Sequence, residues 1–249
     1  MTAERLRLDQ ALVERGLFPS RARAKGAIEA GLVKVGGRAV TKSSAVIDPQ
    51  ADVQVDGDTH DYVSRGGMKL AAALDAFGVG PAGRICLDLG ASTGGFTEVL
   101  LRAGAAKVYA VDVGHGQLHP RIAGDPRVIA LERMHAKDLS RVVVPDAINL
   151  IVCDVSFISL TKALPPALAL AAPPAELIAL VKPQFEVGKS GLGKGGIVRG
   201  AEIAGPRVAA EIADWLAREH SFMPLGIIES PIDGGDGNKE FLIGAIRTA

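Results

Sequence analysis

From residue 84 to the C-terminus, short apolar runs of strand type alternate with helical stretches, and this alternation restricts the possible folds more than any other feature. The runs are Ile85–Leu89, Val108–Val111, Val128–Leu131, Leu150–Cys153, Leu177–Val181, Leu225–Ile228 and Phe241–Ile246. Apolar strands separated by helices pack as a mainly parallel sheet with both faces covered, so the predicted class is α/β and Rossmann-like. A chain of 249 residues holds one such domain plus a small second one.

The first run leads into Asp88-Leu89-Gly90-Ala91-Ser92-Thr93-Gly94-Gly95-Phe96-Thr97, with a helix expected over Glu98 to Ala103. Glycines here let a ligand approach the backbone, and the helix N-terminus offers free amide hydrogens. The spacing is G-x-x-x-G-G, not the G-x-G-x-x-G of dinucleotide binders. The preceding acid, Asp88, would repel a pyrophosphate but suits the cationic amino-acid end of S-adenosylmethionine. Asp112 ends the second strand, where a carboxylate can accept both ribose hydroxyls of an adenosine. Alone, each acid reads equally well as a turn or strand-end residue; together they favour a cofactor site. Gly188 to Gly195 nearly fits a phosphate-binding loop, but Gly195 replaces the hydroxyl that would hold magnesium, so nucleotide hydrolysis is rejected. That stretch is expected to be a mobile loop beside the site, with Lys189, Lys194 and Arg199 near substrate phosphates.

Net charge is zero, yet residues 1–42 carry nine Lys or Arg against four acids, while residues 43–60 carry only acids. A basic face on an N-terminal unit survives such regional compensation. Asp9 is expected to cap a short helix ended by Gly16, and Ser20 a second one through Ala30, ended by Gly31. A hairpin follows, Leu32–Val35 and Arg38–Val40 about a Gly36-Gly37 turn, then a strand over Ala51 to Val55. Arg21 and Lys25 lie one turn apart beside the apolar side of Ala24, Ala27 and Ile28, a spacing that grips successive phosphates or simply faces solvent.

Four charged residues fall at strand or helix ends on the crevice side of such a sheet: Lys69, Asp154, Lys182 and Glu240. A ribose hydroxyl is a poor nucleophile, and its attack on a sulfonium methyl needs orientation and proton removal. Lys182 is the candidate base, crowded by Lys69, with Asp154 and Glu240 holding the two ammonium groups. Surface ion pairs are the plainer reading of any one of these residues, but not of four at such positions.

The N-terminal stretch from Arg5-Leu6-Arg7-Leu8-Asp9 through Ser20-Arg21-Ala22-Arg23-Ala24-Lys25 to Gly31-Leu32-Val33-Lys34-Val35 resembles the S4 RNA-binding domain, which implies recognition of structured RNA. Lys69, Asp154, Lys182 and Glu240 match the K-D-K-E tetrad of FtsJ-like ribose 2′-O-methyltransferases. With Ser64-Arg65-Gly66-Gly67-Met68-Lys69, Cys153-Asp154-Val155-Ser156-Phe157 and Lys182-Pro183-Gln184-Phe185-Glu186, the whole chain resembles the TlyA family. The resemblance implies three regions: an α+β S4-like RNA-binding domain over 1–60, a linker and first helix over 61–83, and a methyltransferase domain over 84–249. It also implies S-adenosylmethionine as cofactor, and as substrate a cytidine ribose in 16S or 23S rRNA of the 30S or 50S subunit. The cofactor residues would be Asp88, Gly90, Ala91, Ser92, Thr93, Gly94, Gly95, Phe96, Asp112 and Asp154. Where the family sets an asparagine against adenine, this chain reads Glu132-Arg133-Met134-His135-Ala136, leaving His135 or the backbone for that contact. Arg5, Arg7, Arg21, Arg23, Lys25, Lys34 and Arg65 would meet RNA.

Some family members carry a hemolysin label, so a membrane-active protein is one alternative, and an assembly factor with a vestigial cofactor pocket another. No uncharged apolar run reaches the length of a membrane span, and the first residues lack a signal-peptide pattern, so a cytoplasmic location is expected. Cys86 and Cys153 lie inside apolar runs and are expected as buried thiols, not a disulfide or metal pair. His115 and His119, four apart among glycines, are expected as loop residues, with no metal site. The segment from Asp58 to Arg65 is expected to be a hinge.

Overall fold

The computed structural model describes residues 6–15, 17–18, 21–29, 31–55 and 62–248, without the side chains of residues 22 and 23. The chain divides into two compact units between Asp61 and Tyr62. The expected caps and stops at Gly16, Ser20 and Ala30, the hinge residues 58–61, Arg5 and the Arg23 side chain lie outside the described residues.

The N-terminal unit comprises β1 (Leu6–Arg7), α1 (Leu8–Glu14), α2 (Arg21–Glu29), β2 (Val33–Val35), β3 (Arg38–Ala39), β4 (Val46–Ile47) and β5 (Val53–Val55). Leu8, Leu12, Ala24, Ile28 and Val33 are fully buried and make its core. The β2–β3 hairpin turns on Gly36 and Gly37, both at positive φ, the conformation a two-residue hairpin needs. Asp9 is not the cap of α1. That position belongs to Arg7, and Asp9 sits inside the first turn, buried, where its carboxylate accepts hydrogen bonds from Arg7 (3.0 Å) and Arg21 (3.0 Å). A long-range partner has taken the residue that local propensity assigned to the cap.

The second unit begins with α3 (Gly66–Phe77), followed by β6 (Ile85–Leu89), α4 (Gly95–Arg102), β7 (Lys107–Asp112), α5 (Pro120–Ala123) and β8 (Val128–Glu132). Then come β9 (Ile148–Cys153), α6 (Leu160–Ala169), β10 (Ala171–Val181), α7 (Ala201–His220), β11 (Met223–Glu229) and β12 (Phe241–Arg247). They build a seven-stranded sheet in the order β11-β12-β10-β9-β6-β7-β8, parallel except for β12, which runs antiparallel to both neighbours. The fold is α/β, and the alternation of strand side chains divides its core. Leu87, Leu89, Ile151 and Cys153 face α6 and α7, while Cys86, Leu150 and Val152 face α3 and α4. Both cysteines are buried free thiols, and burial pushes their pKa values up.

The helix after the glycine loop starts at Gly95, three residues earlier than expected, because Gly94 caps it in the left-handed conformation (φ 93°). Pro165 and Pro166 inside α6 and Pro206 inside α7 are helix breakers by propensity, yet the apolar faces of both helices hold them on the sheet. Gly205 admits the Phe241 ring where any side chain would collide with it. No helix among the described residues is long and apolar enough to cross a membrane.

Candidate active site

The strand order reverses at β6, whose neighbours are β7 and β9, and ligands of open α/β sheets settle at the carboxyl ends of strands flanking such a switch. Here those ends carry the glycine loop after β6 and Asp154 after β9. Ser64, Lys69, Gly90, Gly95, Phe96 and Asp154 line a cleft of about 120 Å³ between them.

The four charged residues converge beside this cleft. In the β10–β12 ladder Val181 is opposite Phe241, so Lys182, just past one strand, stands next to Glu240, just before the other. Lys69, in the first turn of α3, is buried and ion-paired with Glu240, itself only 3% exposed. Lys182 Nζ lies 2.5 Å from Asp154 Oδ1 and donates a hydrogen bond to Ser156 Oγ at 2.8 Å. Burial raises the Glu240 pKa, opposed by Lys69 and Lys182 and assisted by Asp154. All four groups therefore share one field. The first contact of each lysine is a carboxylate and not the other lysine, which replaces the crowding expected from the sequence.

Among the expected cofactor residues, Gly90, Ala91, Ser92, Gly95 and Phe96 line the cleft. A side chain at Gly90 would collide with the Asp154 carbonyl, and one at Gly95 with Ser64 Oγ, so these glycines keep the cradle open. Gly94 and Thr93 do not line it: the space at Gly94 is taken by Leu118 and Ile122, and the Thr93 carbonyl accepts the His119 amide. Asp88 lies beneath the loop, fully buried. Its Oδ2 accepts a hydrogen bond from Thr97 Oγ1 (2.6 Å), and its Oδ1 has no partner. Burial pushes its pKa up to about 7, with Thr97 opposing and Asp154 and Asp112 adding to the rise. Asp112 accepts the amides of Ser92 and Gly114 at 2.7 Å each, which leaves one lone pair on each oxygen. His135 Nδ1 accepts the Lys137 amide as a helix cap, beside the Met134 amide that bonds the Asp112 carbonyl. The orphaned Asp88 oxygen, the open cradle and the spare Asp112 lone pairs suit a ligand that is cationic at one end and carries a diol, as S-adenosylmethionine does.

His115 pairs with Glu132 (2.9 Å) and His119 caps α5. The loop expected to be mobile is tied down by buried Asn238, which accepts the Val198 amide (2.9 Å) and donates to the Gly196 carbonyl (3.1 Å). Of the expected RNA-binding residues, Arg7 and Arg21 share Asp9, Lys25 pairs loosely with Glu29 (3.7 Å), and Arg65 donates to the Asp233 carbonyl (3.0 Å). Lys34 lies on β2.

Sequence reasoning missed four residues around the site. Ser64 lines the cleft, Ser156 holds Lys182, Thr97 holds Asp88, and Glu98 accepts the Val63 amide (2.5 Å) and so fixes the segment leading into α3. Ser156 was within reach, only two residues from Asp154. The adjacent Phe157 has φ 66° and is 90% exposed, its ring 5.0 Å from that of Phe185. At that turn exposed Ser156 reaches Lys182, while the Phe157 ring faces solvent.

Residues 62–247 match the model of the FtsJ-like methyltransferases. The chain belongs to the FtsJ-like methyltransferase family. Ahead of the FtsJ-like unit, residues 6–53 match the S4 domain. The chain is 45% identical over 242 residues to the 16S/23S rRNA (cytidine-2′-O)-methyltransferase TlyA of Mycobacterium tuberculosis, covering 97% of this chain and 90% of that one. It is 40% identical to Hemolysin A of Brachyspira hyodysenteriae, covering 95% and 98% of the two chains. A solved structure described as a hemolysin from Streptococcus thermophilus superposes with TM-score 0.77 at 38% identity, over 99% of this chain and 90% of the other.

Proposed function

We propose that the protein transfers the methyl group of S-adenosylmethionine to a cytidine ribose 2′-hydroxyl of 16S or 23S rRNA within ribosomal subunits. The observation that carries this reading is the pairing of Lys182 with both Asp154 and Ser156 at the rim of the glycine-lined cleft.

When bound, the cofactor supplies an electrophilic methyl on a sulfonium. Asp88 Oδ1 would meet its ammonium, Asp112 its ribose, and the Gly90 and Gly95 backbone its close approach. Lys182 Nζ donates a hydrogen bond to Ser156 Oγ and stands in ion-pair contact with Asp154, which together would orient it toward the attacking hydroxyl. Its nitrogen lone pair would take the proton of that hydroxyl. Lys69 and Glu240 neutralise each other next to it and keep the site's charge balanced. Basic residues of the S4-like unit, covering about residues 1–60, would hold folded RNA through its backbone, and residues 61–83 would link it to the methyltransferase domain over 84–249.

The test is transfer of labelled methyl to 30S and 50S subunits that lack the modification, comparing wild type with Lys182→Ala. Label on ribose that vanishes in the variant supports the proposal. No label on either subunit or on free rRNA would sink it.

A further inference from the structure

A second and larger cleft, of about 630 Å³, opens on the α6–α7 face of the sheet, and nothing described so far uses it. Its size lies within the range of small-ligand sites. The floor is the side of α7 that carries Val208, Ile212 and Trp215; one wall is the glycine-rich loop through Val198 and Arg199, the other Ser159 and Glu186.

Two segments that carry the tetrad run on to form one wall, and a third holds the other in place. Asp154 leads in five residues to Ser159, and Lys182 leads to Glu186 through a single 3-10 turn, Pro183–Phe185. At about 2 Å of rise per residue, Glu186 lies roughly 8 Å beyond Lys182. The other wall, the glycine-rich loop, is pinned by Asn238, two residues ahead of Glu240. Whatever occupies the cleft therefore lies alongside the reacting group.

The lining chemistry identifies the occupant. Arg199 is exposed, and its guanidinium has no hydrogen-bond or ion-pair partner among the described residues. Arg207 is 67% exposed and has only a loose 3.6 Å pair with Glu211. Glu186, the other acid, is already committed: it accepts the Leu160 amide (2.8 Å) and the Ser159 hydroxyl (2.6 Å) at the N-terminus of α6. The cleft thus combines the unpartnered Arg199 guanidinium, the loosely paired one of Arg207, an aromatic edge at Trp215, an apolar floor and the Ser190 hydroxyl, beside the Ser159 and Thr161 hydroxyls that bond each other. Those are the contacts of a phosphate, a base and a ribose.

We propose that this cleft binds a nucleotide of the substrate RNA next to the one methylated, with Arg199 and Arg207 on its phosphate and its base against Trp215. The assignment rests on the rRNA-methyltransferase reading. Glu211, one helical turn from Arg207 and only loosely paired with it (3.6 Å), would accept an exocyclic amino group of the base once Arg207 turns to the phosphate, as carboxylates do from cytosine.

Trp215 is the only tryptophan of the chain, so occupancy can be read directly by fluorescence. The full chain and an Arg199→Ala/Arg207→Ala variant are titrated with a cytidine-containing hexaribonucleotide, and both are assayed for methyl transfer to unmodified subunits. The expected result is quenching by the RNA in wild type and its loss in the variant. The KM for subunits should rise about tenfold while kcat and cofactor affinity hold. The slope of log affinity against log salt should fall by about 0.7, the value for one phosphate contact on a single strand. Equal quenching and equal KM in the two proteins would overturn the subsite alone, as would quenching by S-adenosylmethionine but not by RNA. Absence of methyl transfer by the wild type would instead overturn the function on which the assignment rests.

Discussion

Lys182 Nζ donates a hydrogen bond to Ser156 Oγ at 2.8 Å, and the residue that follows Ser156 holds a left-handed backbone with its ring in solvent. A positive φ at a bulky exposed residue costs on the order of 1–3 kcal/mol and persists where the surroundings over-determine it. Ser156 is a positioning residue for Lys182. Ser156→Ala is expected to lower kcat about 10-fold or more, the weight of a hydrogen bond to a charged group, and to move the limb of the pH–rate profile on which rate rises with pH. Ser156→Thr should restore most of the rate. Unchanged kcat and pH profile in the alanine variant would show that Asp154 alone holds the lysine.

Lys69 and Glu240 form a buried pair, and removing one partner strands the other charge. Lys69→Met should destabilise the protein by about 3–5 kcal/mol near neutral pH. Lys69→Met with Glu240→Gln should recover much of that loss, because neither charge remains. Denaturant unfolding of the four proteins in a double-mutant cycle measures the coupling, and additive effects would contradict it.

Asp88 has its pKa raised by burial from 3.8 to about 7. A raised folded-state value means that the unfolded chain releases this proton first as pH increases. Stability is therefore fully present below about pH 4 and declines until about pH 7, above which the loss is complete. Asp88→Asn should remove the Asp88 part of this slope, leaving the contribution of Glu240, whose pKa is raised in the same direction. A cation placed on Asp88 Oδ1 would draw its pKa down, so cofactor binding at about pH 6 should release a proton. Calorimetry in buffers of different ionisation enthalpy reads that release, and a buffer-independent enthalpy would place the ammonium elsewhere.

Asp9 behaves oppositely. The hydrogen bond from Arg7 holds its pKa at about 2, against burial and with help from Arg21. Its stabilisation of the N-terminal unit is present above about pH 4 and is lost as pH falls toward 2. Because both arginines are half-exposed, salt should weaken the effect. Asp9→Asn should flatten the acid limb of unfolding followed by amide signals of α1 and α2, while freeing Arg7 and Arg21. If wild type and variant lose those signals at the same pH, the buried carboxylate is not the anchor.

The sequence by itself determined the strand list, the glycine turn and the four charged positions. Strand alternation, glycine spacing and residues at strand ends are local patterns, and each is written within about ten consecutive residues. It also carried the family, because the stretches around Lys69, Asp88, Asp154 and Lys182 are contiguous motifs. Tertiary structure alone decided which charges meet. Lys182 finds Asp154 because β10 runs parallel to β9 with Ala179 opposite Cys153, and Lys69 finds Glu240 because α3 packs against β12, pairings that no single segment encodes. The same holds for Asp9, drawn from its expected cap to two arginines, and for Asn238, which pins a loop forty residues away. Hydrogen bonds and ion pairs of this kind are set by packing. Burial removes water as the competing partner, and only the assembled sheet determines which groups are buried together.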